Sequence, residues 1–210
     1  MVIRTANGVI ISKMTGKTRG FYSINTNPLD NPYCEKMSTV PGSICSQCYS
    51  RRMLKTTRKT CNPSWSQNGE ILSREIIPEK FLPDLSRLAC NGAFRFSSHG
   101  ELINETHLIN LCNIARRNPA VTFALWTKRI ALVQKNLSQI PENMILVASS
   151  RWVDVTPPDV PVGFDKVFSA YHKEYAEQHK IPINCMGHCK ECMTCYQKDN
   201  GVTHINEVLK

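Results

Sequence analysis

Four cysteines fall within eleven residues near the carboxyl end of the chain: Cys185, Cys189, Cys192 and Cys195, with gaps of three, two and two residues. Thiols this close in sequence can converge from one tight loop onto one metal centre. The loop also carries His188, Lys190 and Glu191, so it is too polar for a set of core cysteines. Zinc usually takes four thiolates as two pairs split by a longer insert. One compact run suits an iron–sulfur cluster, in which each iron needs a terminal ligand.

A second group lies in the first quarter: Cys34, then Cys45-Ser-Gln-Cys48-Tyr49, preceded by Pro41-Gly42. A C-x-x-C on a turn reads as a metal knuckle. Cys61 is a candidate fourth ligand for a zinc site there. Together Cys34, Cys45 and Cys48 and the carboxyl-terminal four make seven candidate metal ligands. They allow one or two clusters, or one larger cluster bridged by both segments, with zinc as the alternative metal. Cys90 and Cys112 read as core thiols. The spacing C-x3-C-x2-C of Cys185, Cys189 and Cys192 is that of radical S-adenosylmethionine enzymes, which makes S-adenosylmethionine a candidate cofactor. Against it, the motif is at the carboxyl end, Glu191 replaces the usual aromatic residue, and Cys195 could close the open iron.

The ten cysteines of this 210-residue chain would signal disulfides in a small secreted scaffold. This chain is larger, and its first residues carry no long apolar run, so no signal peptide is expected. No stretch approaches the ~20 apolar residues of a membrane helix. A reducing cytoplasm is the expected compartment.

Turn formers crowd the first third: Asn27-Pro28, Asn31-Pro32, Pro41-Gly42 and Asn62-Pro63. Residues 1–66 are expected to be an irregular metal-binding segment, with a short strand over 20–25 and a helix over 50–59. Residues 67–180 read as the α/β core and 181–210 as a cysteine-rich tail, all in one domain. Helices are expected over 66–77, 78–89, 102–117, 128–137 and 171–179. Strands are expected over 93–98, 121–126, 144–149 and 167–171. The alternation predicts a partial (β/α) barrel or an open parallel sheet. In either, functional groups belong just after the strands. That rule selects Ser97, Ser98, His99 and Glu101, then Thr127, Lys128 and Arg129, then Ser149 to Arg151, then His172.

The formal net charge is +9. Arg51, Arg52, Lys55, Arg58 and Lys59 lie in nine residues without an acid. On a helix, Arg51, Lys55 and Arg58 share a face that could meet nucleic acid, or simply face solvent.

The chain resembles the phage gene product 88 family. The resemblance rests on Cys34…Cys45-x-x-Cys48-Tyr49, on Phe94 to Glu101 (FRFSSHGE), on Asn118 to Phe123 with Trp126-Thr127-Lys128, on Ile140 to Asn143, and on the cysteine-rich tail. Gly100-Glu101 stands where that family has Gly-Asp. The resemblance implies a phage-encoded, iron–sulfur-type protein in the host cell cytoplasm. It is also similar to phage proteins related to radical S-adenosylmethionine enzymes, with a β/α barrel.

The resulting expectation is a redox or radical iron–sulfur enzyme acting on an unidentified small molecule. His99 and Glu101 would hold substrate or handle protons, with Arg95 directed inward and paired with Glu101 or an acidic ligand. Ser98 and Lys128 would contact the cofactor. The alternative is a zinc- or cluster-stabilised binding module that contacts nucleic acid or a host protein. A cluster carrier or sensor is a further alternative.

Overall fold

The computed structural model describes residues 2–209. Eight strands form one open sheet in sequence order: β1 (Val2–Arg4), β2 (Ile10–Lys13), β3 (Tyr22–Ile24), β4 (Ala93–Phe96), β5 (Thr122–Thr127), β6 (Met144–Ser149), β7 (Lys166–Tyr171) and β8 (His204–Val208). The first three pair antiparallel, and every pairing from β3 to β8 is parallel. The sheet does not close, so the open-sheet expectation holds and the barrel does not.

The helices are α1 (Pro32–Ser38), α2 (Tyr49–Lys55), α3 (Asn62–Arg74), α4 (Glu105–Arg117), α5 (Ile130–Lys135), α6 (Lys173–Gln178) and the single turn α7 (Cys189–Cys192). Helix α4 shows why the sequence folds as it does. Asn104 caps it by accepting the His107 N–H at 2.9 Å, and Glu105 and Arg116–Arg117 suit the two ends of its dipole. Its buried stripe, Leu108, Leu111, Cys112, Ile114 and Ala115, packs on the outer face of the sheet. There Phe94, Phe96 and Phe123 form a cluster with ring centroids 4.8–5.8 Å apart. Each fully buried aromatic contributes about 2–3 kcal/mol through area removed from water. Central β6 is buried at all six positions, as a parallel strand covered on both faces must be.

Three expectations need correction. Residues 78–89 are not a helix but two short 3-10 turns, because Pro83 cannot continue a helical hydrogen-bond ladder. The first third is less irregular than its turn formers suggest, since it supplies three strands and two helices, and α3 begins at Asn62, across the expected boundary at 66. The tail is part of the sheet, because β8 lies within it.

The inner face of the sheet carries Ala124, Trp126, Ile145, Val147 and Phe168, and the tail folds over it through Cys189, Met193, Cys195 and Tyr196. Tyr196 stacks on Phe21 at 4.6 Å and meets Trp126 edge-on at 5.6 Å. Elements on one face and a cysteine loop on the other leave the carboxyl edge of the strands as the place where loops converge.

Candidate metal centre

The loop after β4 turns sharply, with Ser97 at φ 51° and Gly100 at φ 84°. It delivers Glu101 into the sheet edge. The Glu101 carboxylate accepts from Thr127 Oγ1 at 2.5 Å, from Lys128 N at 2.8 Å and from Leu102 N at 2.8 Å. These bonds tie the ends of β4 and β5 together. His99 is buried, with Nδ1 2.8 Å from Ser50 Oγ and its ring stacked on Trp65 at 4.5 Å. Burial, reinforced by Arg95 and Arg58, depresses its pKa to about 3, so it stays neutral. Ser98 O accepts from the Tyr49 hydroxyl at 3.4 Å, while Ser98 Oγ is buried without a partner.

The front thiols gather over this edge. Asn31 caps α1, accepting from Tyr33 N and Cys34 N, and donates to Glu101 O at 2.8 Å. That places Cys34 beside the β4 loop. The Cys45–Cys48 turn is pinned to the loop after β6, since Ile44 N donates to Arg151 O at 2.9 Å and Ser43 bridges Trp152. Burial raises the pKa of Cys34, with Glu101, Cys45 and Cys48 adding to the rise; burial also raises that of Cys45, where Lys128 opposes and Cys48 and Glu101 add. Burial works against the charge of Lys128, but Cys45, Glu101, Cys48 and Cys34 outweigh it and hold its pKa above the ordinary value. Cys61 ends a 3-10 turn at Lys59–Cys61 and is partly buried.

The tail thiols form a separate set on the inner face. Asn184 N and Cys185 N both donate to Asn206 O of β8. The α7 turn ends at Met193, in left-handed conformation at φ 53°, and a 3-10 turn over Thr194–Tyr196 follows. Burial pushes the Cys195 thiol up to about 12, with Arg95 opposing and Cys189, Cys185 and Cys192 adding to the rise. All ten cysteines of the chain are free thiols.

Arg95 lies against this second set. Its guanidinium sits over the Trp126 ring, and its charge is felt by Cys189 and Cys195. Glu101 is not its partner, because those carboxylate oxygens are bound at the β4–β5 edge. Arg95 Nε and the Tyr196 hydroxyl are buried and make no hydrogen bond of good geometry. The two side chains lie against each other, close enough for the guanidinium to act on the phenol, with Trp126, Cys189 and Cys195 around them. A positive guanidinium beside thiols fits a sulfur-rich, anionic group.

Among the described residues, no three His, Cys, Asp or Glu side chains converge closely enough to hold a single metal ion. The thiols that act most strongly on Cys34 are Cys45 and Cys48, and those that act most strongly on Cys195 are Cys189, Cys185 and Cys192.

The basic segment is partly structural. Arg51 Nη1 donates to Pro28 O and Arg58 Nη2 to Thr15 Oγ1, while Arg52, Lys55 and Lys59 are exposed. Sequence reasoning missed Trp126 and Tyr196 as neighbours of the thiols. The tail's lone aromatic, Tyr196, directly after Cys195, was the available signal.

No helix of the described residues is long and apolar enough to cross a membrane. The sequence pattern of the Gene product 88 family matches residues 5–207. No curated protein and no solved structure matches the chain significantly.

Proposed function

We propose that this chain, which belongs to the Gene product 88 family, is an iron–sulfur protein with redox chemistry. Cys185, Cys189, Cys192 and Cys195 would hold one cluster. Cys34, Cys45 and Cys48 would hold a second, with one iron free of protein thiolate. The observation that carries the reading is the Arg95 guanidinium, whose charge bears on the tail thiols Cys189 and Cys195 and whose Nε is buried without a hydrogen bond of good geometry. A buried donor without an acceptor costs about 1–3 kcal/mol. Cluster sulfides and thiolates accept hydrogen bonds and carry negative charge, so a cluster would offer Arg95 Nε an acceptor and balance its charge.

The cysteines need not converge on one point to do this. A cluster distributes its thiolates over several irons, whereas a single zinc gathers all four at about 2.3 Å. When bound, the cluster supplies one-electron transfer. The chain's own residues do the rest. Arg95 and Lys128 provide positive charge beside the two thiol sets, Tyr196 and Trp126 exclude water from the inner face, and Glu101 holds the strand ends in place.

Anaerobic purification followed by iron, sulfide and zinc quantification tests the reading. Iron and acid-labile sulfide in comparable amounts, reduced in Cys192→Ser, are expected. A colourless protein with zinc and no sulfide in the wild-type chain would overturn it.

A second reading has its own observation. Arg52, Lys55 and Lys59 are exposed and make no ion pair among the described residues. A metal-stabilised module could bind nucleic acid through them. Its affinity would fall steeply with salt and drop in Arg52→Ala/Lys55→Ala.

A further inference from the structure

Asp154 and His172 lie eighteen residues apart in sequence and are joined at the carboxyl end of β7. Asp154 Oδ2 is 2.7 Å from His172 Nδ1, and Asp154 Oδ1 accepts the backbone N–H of His172, also at 2.7 Å. Asp154 adopts φ 61°, a left-handed conformation that Asp takes more readily than most residues, and its N–H donates to Ala170 O at 3.1 Å. Two hydrogen bonds to the carboxylate and one from the Asp154 backbone thus fix the residue against the end of the strand.

The chemical consequence concerns the other ring nitrogen. A carboxylate facing Nδ1 keeps the hydrogen there in the neutral ring, which leaves the Nε2 lone pair outward. Nε2 makes no hydrogen bond within the described residues, and the His172 side chain is 47% exposed. The location is also shared. Trp152, two residues before Asp154, bridges Ser43, and Arg151 O holds Ile44, so the loop that positions the dyad also pins the Cys45–Cys48 turn. Trp152 is exposed beside it.

We propose that His172 and Asp154 form a general-base dyad at the carboxyl edge of the sheet, accepting a proton from a ligand with a weakly acidic O–H or S–H group. In that step the ligand's X–H bond breaks, its electron pair stays on X, and the proton binds Nε2. The Asp154 carboxylate stabilises the imidazolium that forms. The assignment needs no metal and stands whether or not the thiols hold one.

The full chain can be tested with two probes. Long-range proton–nitrogen NMR on the neutral ring should show Nδ1 protonated and Nε2 bare in His172. Acylation by diethyl pyrocarbonate, followed by mass spectrometry, should modify His172 faster than His179, whose Nδ1 faces only the Tyr175 carbonyl at 3.0 Å. Asp154→Asn keeps an oxygen for the backbone N–H but removes the charge, and should slow His172 acylation several-fold while leaving His179 unchanged. A protonated Nε2 in the wild-type chain, or equal His172 reactivity with and without the Asp154 charge, would overturn the proposal.

Discussion

The guanidinium of Arg95 lies 3.7 Å above the centre of the Trp126 ring, within a surface that the tail covers. A cation over an indole contributes about 0.5–2 kcal/mol, while removing the guanidinium from water opposes it. Arg95→Met keeps an apolar contact with the indole and removes that desolvation cost, so the metal-free chain should be as stable or more stable in urea unfolding. The same variant should lose iron faster to a chelator, because the charge opposing the thiolates is gone. Unchanged iron release would show that Arg95 does not serve the tail set.

Two buried histidines set the acid sensitivity of the fold. His99 and His107 are both depressed to about 3 by burial, with Arg95 and then Arg58 adding to the effect at His99 and Arg129 at His107. Their unfolded value is about 6.5, so the unfolded chain binds more protons below that pH. Stability is full above pH 6.5 and falls as pH drops towards about 3, by up to about 1.4 kcal/mol per pH unit for each histidine. Urea midpoints measured on metal-free protein between pH 7 and pH 5 should fall accordingly. His107→Gln should roughly halve the slope.

Asn68 holds the antiparallel corner of the sheet onto α3. Its amide accepts from Ile10 N at 2.7 Å and donates to Ile10 O and Asn25 O at 2.8 Å. Asn68→Ala leaves these buried backbone groups unpaired and should cost about 3 kcal/mol in equilibrium unfolding. A loss below about 1 kcal/mol would mean that water replaces the amide.

Gly100 is required twice over. Its φ of 84° is left-handed, and a Cβ there would fall on Thr26 Oγ1 and the Thr26 carbonyl. Gly100→Ala should destabilise by about 2 kcal/mol or more. It should also disturb Glu101, and hence the β4–β5 edge beneath the front thiols. Thermal unfolding together with Cys34 alkylation rates would register both effects.

The central strands were legible because β5 and β6 are nearly continuous apolar runs, the pattern of a sheet covered on both faces. β1 is three residues long and β8 reads His-Ile-Asn-Glu-Val, so neither carries enough pattern to reveal a strand without its neighbour. The helix expected over 78–89 had apolar spacing but also Pro83, and the proline prevailed. At the candidate centre, local spacing pointed to both thiol groups and to the strand ends. It could not show that the tail folds onto Trp126, or that Asp154 meets His172, since both depend on contacts between distant segments. His99 and Glu101 were rightly located at a strand end, where the Glu101 carboxylate and His99 Nδ1 hold the loop in place.

Iron K-edge X-ray absorption on the anaerobically isolated protein addresses the cluster assignment most directly. The account predicts a first shell of sulfur and a short iron–iron scattering path, both weakened when the tail cysteines are replaced by serine. A shell of nitrogen and oxygen without an iron–iron path, or no chain-bound iron at all, would contradict it.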